Sequence, residues 1–405
     1  MNKILLLSLG TFALGIDAYI MAGLLPGIAA GFDVSISGAG QTVSVFTLCY
    51  AISAPLFGAL TAGKPARLVL AAALIIFTLA NALSAVTTDF SLLLLTRAAA
   101  GIGAGLYTPT ALSTAASFVS HARRARALGT VVGGLAMGTA VGVPCGLLLA
   151  QSLGWRATMW LVTALGALAL AGILLRLPNG AAATPPSLRQ RIAVLVDPRV
   201  AATIAVSFVT SAGSIGLYTY VAPLLHASAG VADALPYLWA WSLGGLIGIY
   251  YLSGVIIDAT GRPEWVMAGI LVGMTIVFGS LAWALPDTAL AFIWFAVWGA
   301  AAWSTQTPQQ HRLLSLHPDK GSIAVALQSS AHYAGSAAGA AVGGLALSAG
   351  VSLTQLPTLA GLMLAVALVG QIGIAVWSRF SDRDRADQYQ PQPATISEAA
   401  AGELL

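Results

Sequence analysis

The chain has 405 residues, of which 58% are hydrophobic and only 8% are charged. Soluble domains contain about 25% charged residues, so this composition excludes an ordinary soluble protein and predicts an integral membrane protein. The formal net charge of +4 is small and gives no reason to expect nucleic-acid binding. Cys49 and Cys145 both lie in apolar stretches, and we interpret them as small buried side chains rather than as a disulfide.

Long apolar runs follow one another from Ile4 almost to the end of the chain. A helix needs about 20 such residues to cross a membrane, so we predict an all-α membrane protein with twelve transmembrane helices in two six-helix pseudo-repeats. The first run is too long, and too interrupted by glycine and proline, to be a signal peptide. The predicted spans are 4–30, 40–61, 67–87, 91–119, 127–150, 157–177, 199–225, 235–257, 264–285, 289–312, 321–349 and 356–378.

Charge and composition divide the chain into four regions. We predict an N-terminal six-helix bundle (1–177), a cytoplasmic linker (178–198), a C-terminal six-helix bundle (199–378) and a disordered cytoplasmic tail (379–405). If the N-terminus is cytoplasmic, nearly all of the 18 lysines and arginines lie on the cytoplasmic side, as the positive-inside rule requires. We therefore predict that both termini are cytoplasmic.

The two bundles look like diverged copies of one repeat. Pro26 corresponds to Pro223 at an offset of 197 residues. Two repeats with the same orientation are typical of transporters that rock about a site near the middle of the membrane. At the same offset, Gly138, Gly142 and Gly146 correspond to Gly335, Gly339 and Gly343.

Asp17 and Arg97 are charged residues inside otherwise apolar spans. A charge in a membrane helix is costly and by default marks a pathway or a proton relay. The helical rise places both residues at a similar depth, in the half of the membrane that we predict to be the outer one. Two interpretations stay open: a static ion pair that orients two helices, or a proton-coupling pair in which Asp17 carries the proton and Arg97 controls it.

A substrate cavity is expected between the halves, near the membrane midplane. Aromatic and polar side chains at that depth are its candidate lining, although packing or contact with lipid explains each aromatic one equally well. His332 is a second candidate proton carrier, or else a hydrogen-bonded core residue. The candidate lining residues are Tyr19, Tyr107, Tyr218, Tyr220, Trp241, Trp303, Gln328 and Tyr333.

Glycines recur every four residues along the fifth predicted span, at Gly134, Gly138, Gly142 and Gly146, with Pro144 just before the last. This spacing puts them on one stripe of a helix, where a neighbouring backbone can approach closely. We predict that this tight, kinked fifth helix packs against the similar eleventh helix and seals the cavity against proton leak.

These motifs together resemble the major facilitator superfamily, over about residues 4–378. Residues 14–26 resemble the family's first-helix motif, residues 97–103 match its fourth-helix arginine motif, and residues 138–146 are similar to its fifth-helix antiporter motif. Residues 254–262 look like the loop motif that latches the halves on the cytoplasmic side, which assigns the latch to Asp258, Gly261 and Arg262. The resemblance is closest to twelve-helix drug:proton antiporters, among them bacterial arabinose-efflux and chloramphenicol-resistance permeases.

The resemblance implies a proton-coupled secondary transporter that exports small organic molecules or drugs by alternating access. Its partners would be the solute, protons and membrane lipid, with no metal, cofactor or enzymatic activity. We expect a monomer in the bacterial inner membrane. A sugar or nucleoside exporter, or a proton symporter, is the first alternative, and a non-transporting receptor or scaffold is an alternative of another class.

The sequence departs from the family pattern at two positions. Ala62 stands where the first half's loop motif usually has aspartate, which weakens the latch expected there. Relatives often have glutamate at the position of Ala18, whereas the acid here is Asp17, one residue earlier. One residue corresponds to a rotation of about 100° around a helix, so the cavity wall that Asp17 faces is not fixed by the resemblance.

Overall fold

The computed structural model describes residues 3–61, 63–120, 123–178, 188–231, 233–248, 253–317 and 320–388. Within these ranges the fold is all-α. A π-helical turn, Gly138–Gly142, joins α5 to α6, and a short 3-10 turn, Leu353–Gln355, precedes the last helix. The helices are α1 (Lys3–Phe32), α2 (Ile36–Leu60), α3 (Ala66–Val86), α4 (Phe90–Ser117), α5 (Arg124–Met137), α6 (Val143–Leu153), α7 (Trp155–Arg176), α8 (Leu188–Leu195), α9 (Pro198–Tyr218), α10 (Val221–Ala229), α11 (Leu235–Ile247), α12 (Ser253–Thr260), α13 (Pro263–Ala284), α14 (Thr288–Ser304), α15 (Gln306–Leu316), α16 (Gly321–Ser348) and α17 (Leu356–Gln388).

Ten helical segments in the described ranges are long and apolar enough to cross a membrane. They coincide with ten of the predicted spans and confirm the all-α membrane fold. The predicted span 235–257 is represented by α11 and α12, on either side of residues outside the description. The predicted span 321–349 is α16, a helix of 28 residues that is not among the ten. The count of twelve therefore stays a prediction.

Two more of the predicted spans are broken into shorter helices. The span 199–225 covers α9 and the first part of α10, and the span 289–312 covers nearly all of α14 and the first part of α15. Pro223 and Pro308 each lie in the first turn of the second helix, where a missing backbone N–H costs little. At the chain's end, α17 continues to Gln388, so residues 379–388 differ from the predicted disorder, and residues 389–405 lie outside the description.

The same pairing of helices occurs twice. The segment from α5 to α6 packs on α1, and correspondingly α16 packs on α9. In the same way the contacts between α2 and α4 and between α3 and α7 are repeated by α11 with α14 and by α13 with α17. The helices of the two predicted bundles thus pack in matching pairs. The division into bundles and linker stays a prediction, and most of the linker lies outside the described residues.

The glycine stripe of the fifth predicted span packs directly on α1. A Cβ on Gly138 would lie 2.2 Å from the carbonyl oxygen of Phe12, and one on Gly142 would lie 2.2 Å from Cγ1 of Ile16. Val143 donates its N–H to the carbonyl of Gly138, five residues back. This π-helical turn ends two residues before Pro144, which has no N–H to continue the regular ladder. The predicted close and irregular packing is thus confirmed.

The partner of this stripe differs from our prediction. The corresponding stripe on α16 packs on α9, where a Cβ on Gly339 would lie 2.0 Å from the carbonyl oxygen of Ala212. Each glycine-bearing helix therefore covers the first helix of its own half. The predicted seal between the fifth and eleventh helices is wrong, because both glycine faces are already occupied within their bundles.

The halves meet at α2 with α16, α1 with α10, and α6 with α11. We call the end of the bundle where α1 begins the Lys3 end, and the opposite end the Asp89 end. At the Asp89 end the hydroxyls of Ser37 and Ser348 lie 3.0 Å apart, and Gln151 Nε2 donates to Asp233 Oδ1 at 2.9 Å. A cavity of about 530 Å³ also lies there, lined by residues from both halves.

Candidate functional site

Asp17 and Arg97 form a fully buried ion pair. Arg97 Nη1 donates to Asp17 Oδ1 at 2.8 Å, and both side chains are 0% exposed. Asn81 joins them, because its Nδ2 donates to Asp17 Oδ2 at 3.3 Å and its Oδ1 accepts from Arg97 Nη1 at 3.3 Å. Three helices, α1, α3 and α4, thus contribute one side chain each, and the contact between Asp17 and Arg97 agrees with their predicted common depth.

Glycines on α4 bring this helix close to α2 and α3. A Cβ on Gly101 would lie 2.3 Å from the carbonyl oxygen of Phe46 on α2, and one on Gly103 would lie 2.7 Å from that of Ala73 on α3. Larger residues at these positions would push α4 away from both neighbours. The glycines that follow Arg97 therefore allow its side chain to reach Asn81 and the ring of Phe46.

The guanidinium of Arg97 is only partly satisfied. Its carbon lies 4.6 Å from the centre of the Phe46 ring, which gives a cation–π contact. Its Nε and Nη2 have no hydrogen-bond partner among the described residues. A buried arginine that lost its acid would be left uncompensated, at a cost of about 3–5 kcal/mol, so the charge state of Asp17 has a large effect on this cluster.

Aromatic rings from both halves meet in the middle of the bundle. Tyr19 on α1 stacks with Trp303 of the second half, with centroids 6.0 Å apart, and also contacts the rings of Tyr218 and Trp241, each at 5.9 Å. Tyr218 and Trp241 are themselves 4.4 Å apart. The Tyr218 hydroxyl and the Trp241 Nε1 are buried and lack hydrogen-bond partners in the described part of the chain. We call Tyr19, Tyr218, Trp241 and Trp303 the aromatic cluster.

A second aromatic contact joins the halves through α2 and α16. Tyr50 stacks on Tyr333 with ring centroids 3.8 Å apart. Tyr50 also lies 6.5 Å from Phe46, the ring that carries the Arg97 guanidinium. A continuous line of contacts therefore runs from the ion pair to the helix of the second half that contains His332.

The predicted polar residues of α16 form a hydrogen-bonded group. Gln328 Nε2 donates to Gln306 Oε1 at 2.9 Å, and Gln306 Nε2 lies 3.1 Å from His332 Nδ1. With the Gln306 amide nitrogen as the donor in this contact, His332 Nδ1 is the acceptor, which corresponds to the neutral tautomer that has its proton on Nε2. Gln306, His332 and Tyr333 are half-buried, although all lie within predicted membrane spans.

Two residues of the predicted lining have packing roles instead. The Tyr107 hydroxyl donates to the carbonyl of Leu7 at 3.0 Å, inside the first bundle. The Tyr220 hydroxyl donates to the carbonyl of Ala340 at 2.6 Å and holds α16 in place. Both phenols are satisfied by backbone, so neither is available to a solute, and we leave them out of the proposed cavity.

The predicted latch residues are at the surface. Asp258 and Arg262 are exposed, and no ion pair of Asp258 is found among the described residues. Gly261 has a φ of +63°, a left-handed conformation that favours glycine and ends α12. Ala62, the departure in the first half's copy of the motif, lies outside the description. The latch therefore stays a prediction.

Sequence reasoning missed three polar residues of this region: Asn81, Gln306 and Arg312. Arg312 is buried and pairs with Glu264; its Nη1 donates to Ser378 Oγ at 2.7 Å and its Nε donates to Thr203 Oγ1 at 3.2 Å. It therefore ties four helices of the second half together near the Lys3 end. The available signal was a polar residue within or at the edge of an apolar span, which we weighed for Asp17, Arg97 and the polar residues of the eleventh span but not for these three. Within the described ranges there is no group of metal-ligating side chains.

Comparisons with known proteins agree with this architecture. The profile of the Major Facilitator Superfamily matches residues 7–340. The chain is 30% identical to the inner membrane transport protein YdhP of Escherichia coli K12, over 90% of this chain and 94% of that protein. It is 32% identical to a chloramphenicol resistance protein of Streptomyces lividans, over 73% of this chain and 81% of that protein.

The solved structures of transporters show the same fold at low identity. The nucleoside transporter NupG has a TM-score of 0.71 at 14% identity, with 92% of this chain and 100% of that chain covered. A bacterial homologue of the human lysosomal transporter Spinster, in an inward-facing conformation, has a TM-score of 0.67 at 16% identity, with 96% and 98% covered. The chain belongs to the major facilitator superfamily and is a multi-pass membrane transport protein of that family.

Proposed function

We propose that the protein is a proton-coupled exporter of small organic molecules, with Asp17 as the proton carrier. The observation that carries this proposal is the fully buried pair of Asp17 and Arg97, held by Asn81. A lone ion pair inside a membrane bundle is expensive to maintain and gives little net stability. A titrating role explains why these helices keep charged residues at all.

The pair couples a proton to the conformation through its own charge. When Asp17 is ionised it neutralises Arg97, and when Asp17 takes up a proton the guanidinium loses its counter-charge. Arg97 is then held by Asn81 and by the Phe46 ring alone, which shifts the balance of contacts on α2. Phe46 contacts Tyr50, and Tyr50 stacks on Tyr333 of the second half. Protonation of Asp17 therefore acts on the contact between Tyr50 and Tyr333, which must separate when the halves move apart.

The hydrogen bonding of His332 supports Asp17 over His332 as the carrier. His332 Nδ1 accepts from Gln306, whose own oxygen is occupied by Gln328. A second proton on that nitrogen would face a donor and break the bond. His332 and Gln328 are better suited to positioning a solute in the cavity.

The direction and location are parts of the same proposal. We propose that the Lys3 end is cytoplasmic, because the lysines and arginines concentrate there. The relatives include an inner membrane transport protein and a chloramphenicol resistance protein, and a resistance protein of this fold acts most simply by export. Gln306, His332 and Tyr333 are half-buried, and in this proposal they line the route by which a cytoplasmic solute reaches the aromatic cluster.

Vesicle transport with an imposed pH gradient tests this function. Inside-out vesicles, acidified inside, should accumulate an exported solute from a panel of phenicols, nucleosides and sugars, and a protonophore should abolish the accumulation. Accumulation of a nucleoside or sugar would support the first alternative substrate class. Binding without transport of any member would favour a receptor. Transport that ignores the pH gradient would contradict proton coupling.

A further inference from the structure

In the described part of the chain, the acid nearest in sequence to a residue of the aromatic cluster is Asp17, and it is not free to bind a cation. Asp17 lies two residues before Tyr19 on α1, but its Oδ1 accepts from Arg97 and its Oδ2 accepts from Asn81. The charges of Asp17 and Arg97 cancel. A cation that entered this buried region would lose its hydration and gain no counter-charge in return.

The ring faces of the cluster are also largely occupied by one another. Tyr218 lies 4.4 Å from Trp241, and Tyr19 stacks on Trp303. A cation–π site needs an open ring face, whereas a flat aromatic solute would enter by replacing one ring–ring contact of the cluster with another of the same kind. The packing of the cluster therefore favours a planar ring over a quaternary ammonium group.

Unpaired donors lie within the cluster. The indole N–H of Trp241 can only donate, and neither it nor the Tyr218 hydroxyl has a hydrogen-bond partner among the described residues. A buried donor without an acceptor is costly, and a solute that brings an acceptor removes that cost.

We propose that this cluster binds uncharged aromatic solutes that carry a hydrogen-bond acceptor such as a carbonyl, and that it discriminates against cations of the same shape. Trp241 and Tyr218 donate to the acceptor while Tyr19 and Trp303 contact the ring. The inference rests on the proposed function, since it specifies the class of solute that is carried.

The chain offers matched control residues for both donors. Trp298 resembles Trp241 in being fully buried, but its Nε1 already donates to Ser214 Oγ at 2.9 Å. Tyr220 is two residues from Tyr218, and its hydroxyl already donates to a backbone carbonyl. Replacing either control residue by phenylalanine removes a hydrogen bond within the protein. The same change at Trp241 or Tyr218 removes a donor that has no partner among the described residues.

Binding of three matched probes to the purified full-length protein in nanodiscs tests the inference without any pH gradient. The probes are 4-tert-butylacetophenone, its trimethylammonium isostere, and 4-tert-butyltoluene, which lacks the carbonyl; partition into protein-free nanodiscs is subtracted. We expect the ketone to bind about tenfold or more tightly than the cation. Trp241→Phe and Tyr218→Phe should each weaken ketone binding about fivefold to tenfold and leave toluene binding unchanged. Trp298→Phe and Tyr220→Phe should not alter the ratio of the ketone affinity to the 4-tert-butyltoluene affinity.

Two results would overturn the inference. One is a cation that binds as tightly as the ketone; the other is a Trp241 or Tyr218 variant that loses ketone and hydrocarbon binding equally. Either outcome leaves the proton-coupled transport measured in vesicles untouched. Conversely, the protein could show the predicted selectivity in binding but no pH-driven transport. That result would contradict the proposed function and support the binding site.

Discussion

Replacing Asp17 by asparagine should abolish uphill transport while leaving the fold and solute binding in place. The change keeps the side-chain volume and an acceptor for Arg97, but it fixes the site in a state that carries no titratable charge. Asn81 and the Phe46 ring still contact the guanidinium. We therefore expect a loss of stability near the lower end of the range for breaking a buried pair, about 3 kcal/mol.

The effect on transport is much larger and has a defined limit. Each pH unit is worth 1.36 kcal/mol per proton, so exchange of one proton across a gradient of two pH units allows accumulation of up to about 100-fold. The assay is solute accumulation in vesicles with and without that gradient. Asp17→Asn should reach a ratio of about 1 in both conditions, with downhill equilibration retained.

A matched control separates charge from position. Asp89 accepts from the N–H of Leu92 as the N-cap of α4, and asparagine is an equally good cap. Asp89→Asn thus removes a carboxylate elsewhere in the same bundle, and it should leave gradient-driven accumulation intact. The assignment of Asp17 as carrier would be refuted if the Asp17→Asn variant accumulated solute above the outside concentration and lost this accumulation when the pH gradient was removed.

Three further predictions concern packing, pH and the latch. Gly138→Ala places a Cβ against a backbone carbonyl of α1. It should lower the free energy of unfolding by about 1–3 kcal/mol, which is measured as a lower melting temperature. Gly129→Ala is the control, because no heavy atom lies within 4 Å of its new Cβ, and it should not destabilise the protein. Burial would raise the pKa of Asp197, but a backbone N–H and the His317 ring hold it below its usual value. Its stabilising effect is therefore present above a pH of about 4 and is lost on further acidification, so the melting-temperature gap between wild type and Asp197→Asn should be present at about pH 5 and shrink toward about pH 3. Asp258→Asn should slow transport without weakening solute binding. A normal transport rate in this variant would contradict the predicted role of Asp258 in a cytoplasmic latch.

The sequence was sufficient where one physical requirement dominates. Long apolar runs are needed to cross a membrane, so the spans could be placed from hydropathy alone. The cost of a buried charge identified Asp17 and Arg97, and helix geometry placed them at a common depth. The stripe of glycines likewise predicted a close approach of helices, which the contact of Gly138 with Phe12 bears out.

The remaining features of the site depend on the direction in which each helix face points. The depth of a residue in the membrane, which the sequence predicts, does not determine that direction. Tyr218 and Tyr220 are two residues apart, yet one lies in the aromatic cluster and the other bonds to α16. Nothing in the sequence links Asn81 to Asp17 or Gln306 to His332, because the partners lie on different helices whose faces meet only in the fold. The stripe of Gly138 could not reveal its partner, because a close-packing surface does not specify which helix covers it.

Proton release on solute binding tests the central claim most directly. Purified protein in weakly buffered solution, with a pH indicator, should release about one proton per solute bound if binding and protonation compete at a site governed by Asp17 and Arg97. Asp17→Asn should bind the solute and release none. Release from Asp17→Asn that equals that of the wild type would contradict the account and make His332 the next residue to test.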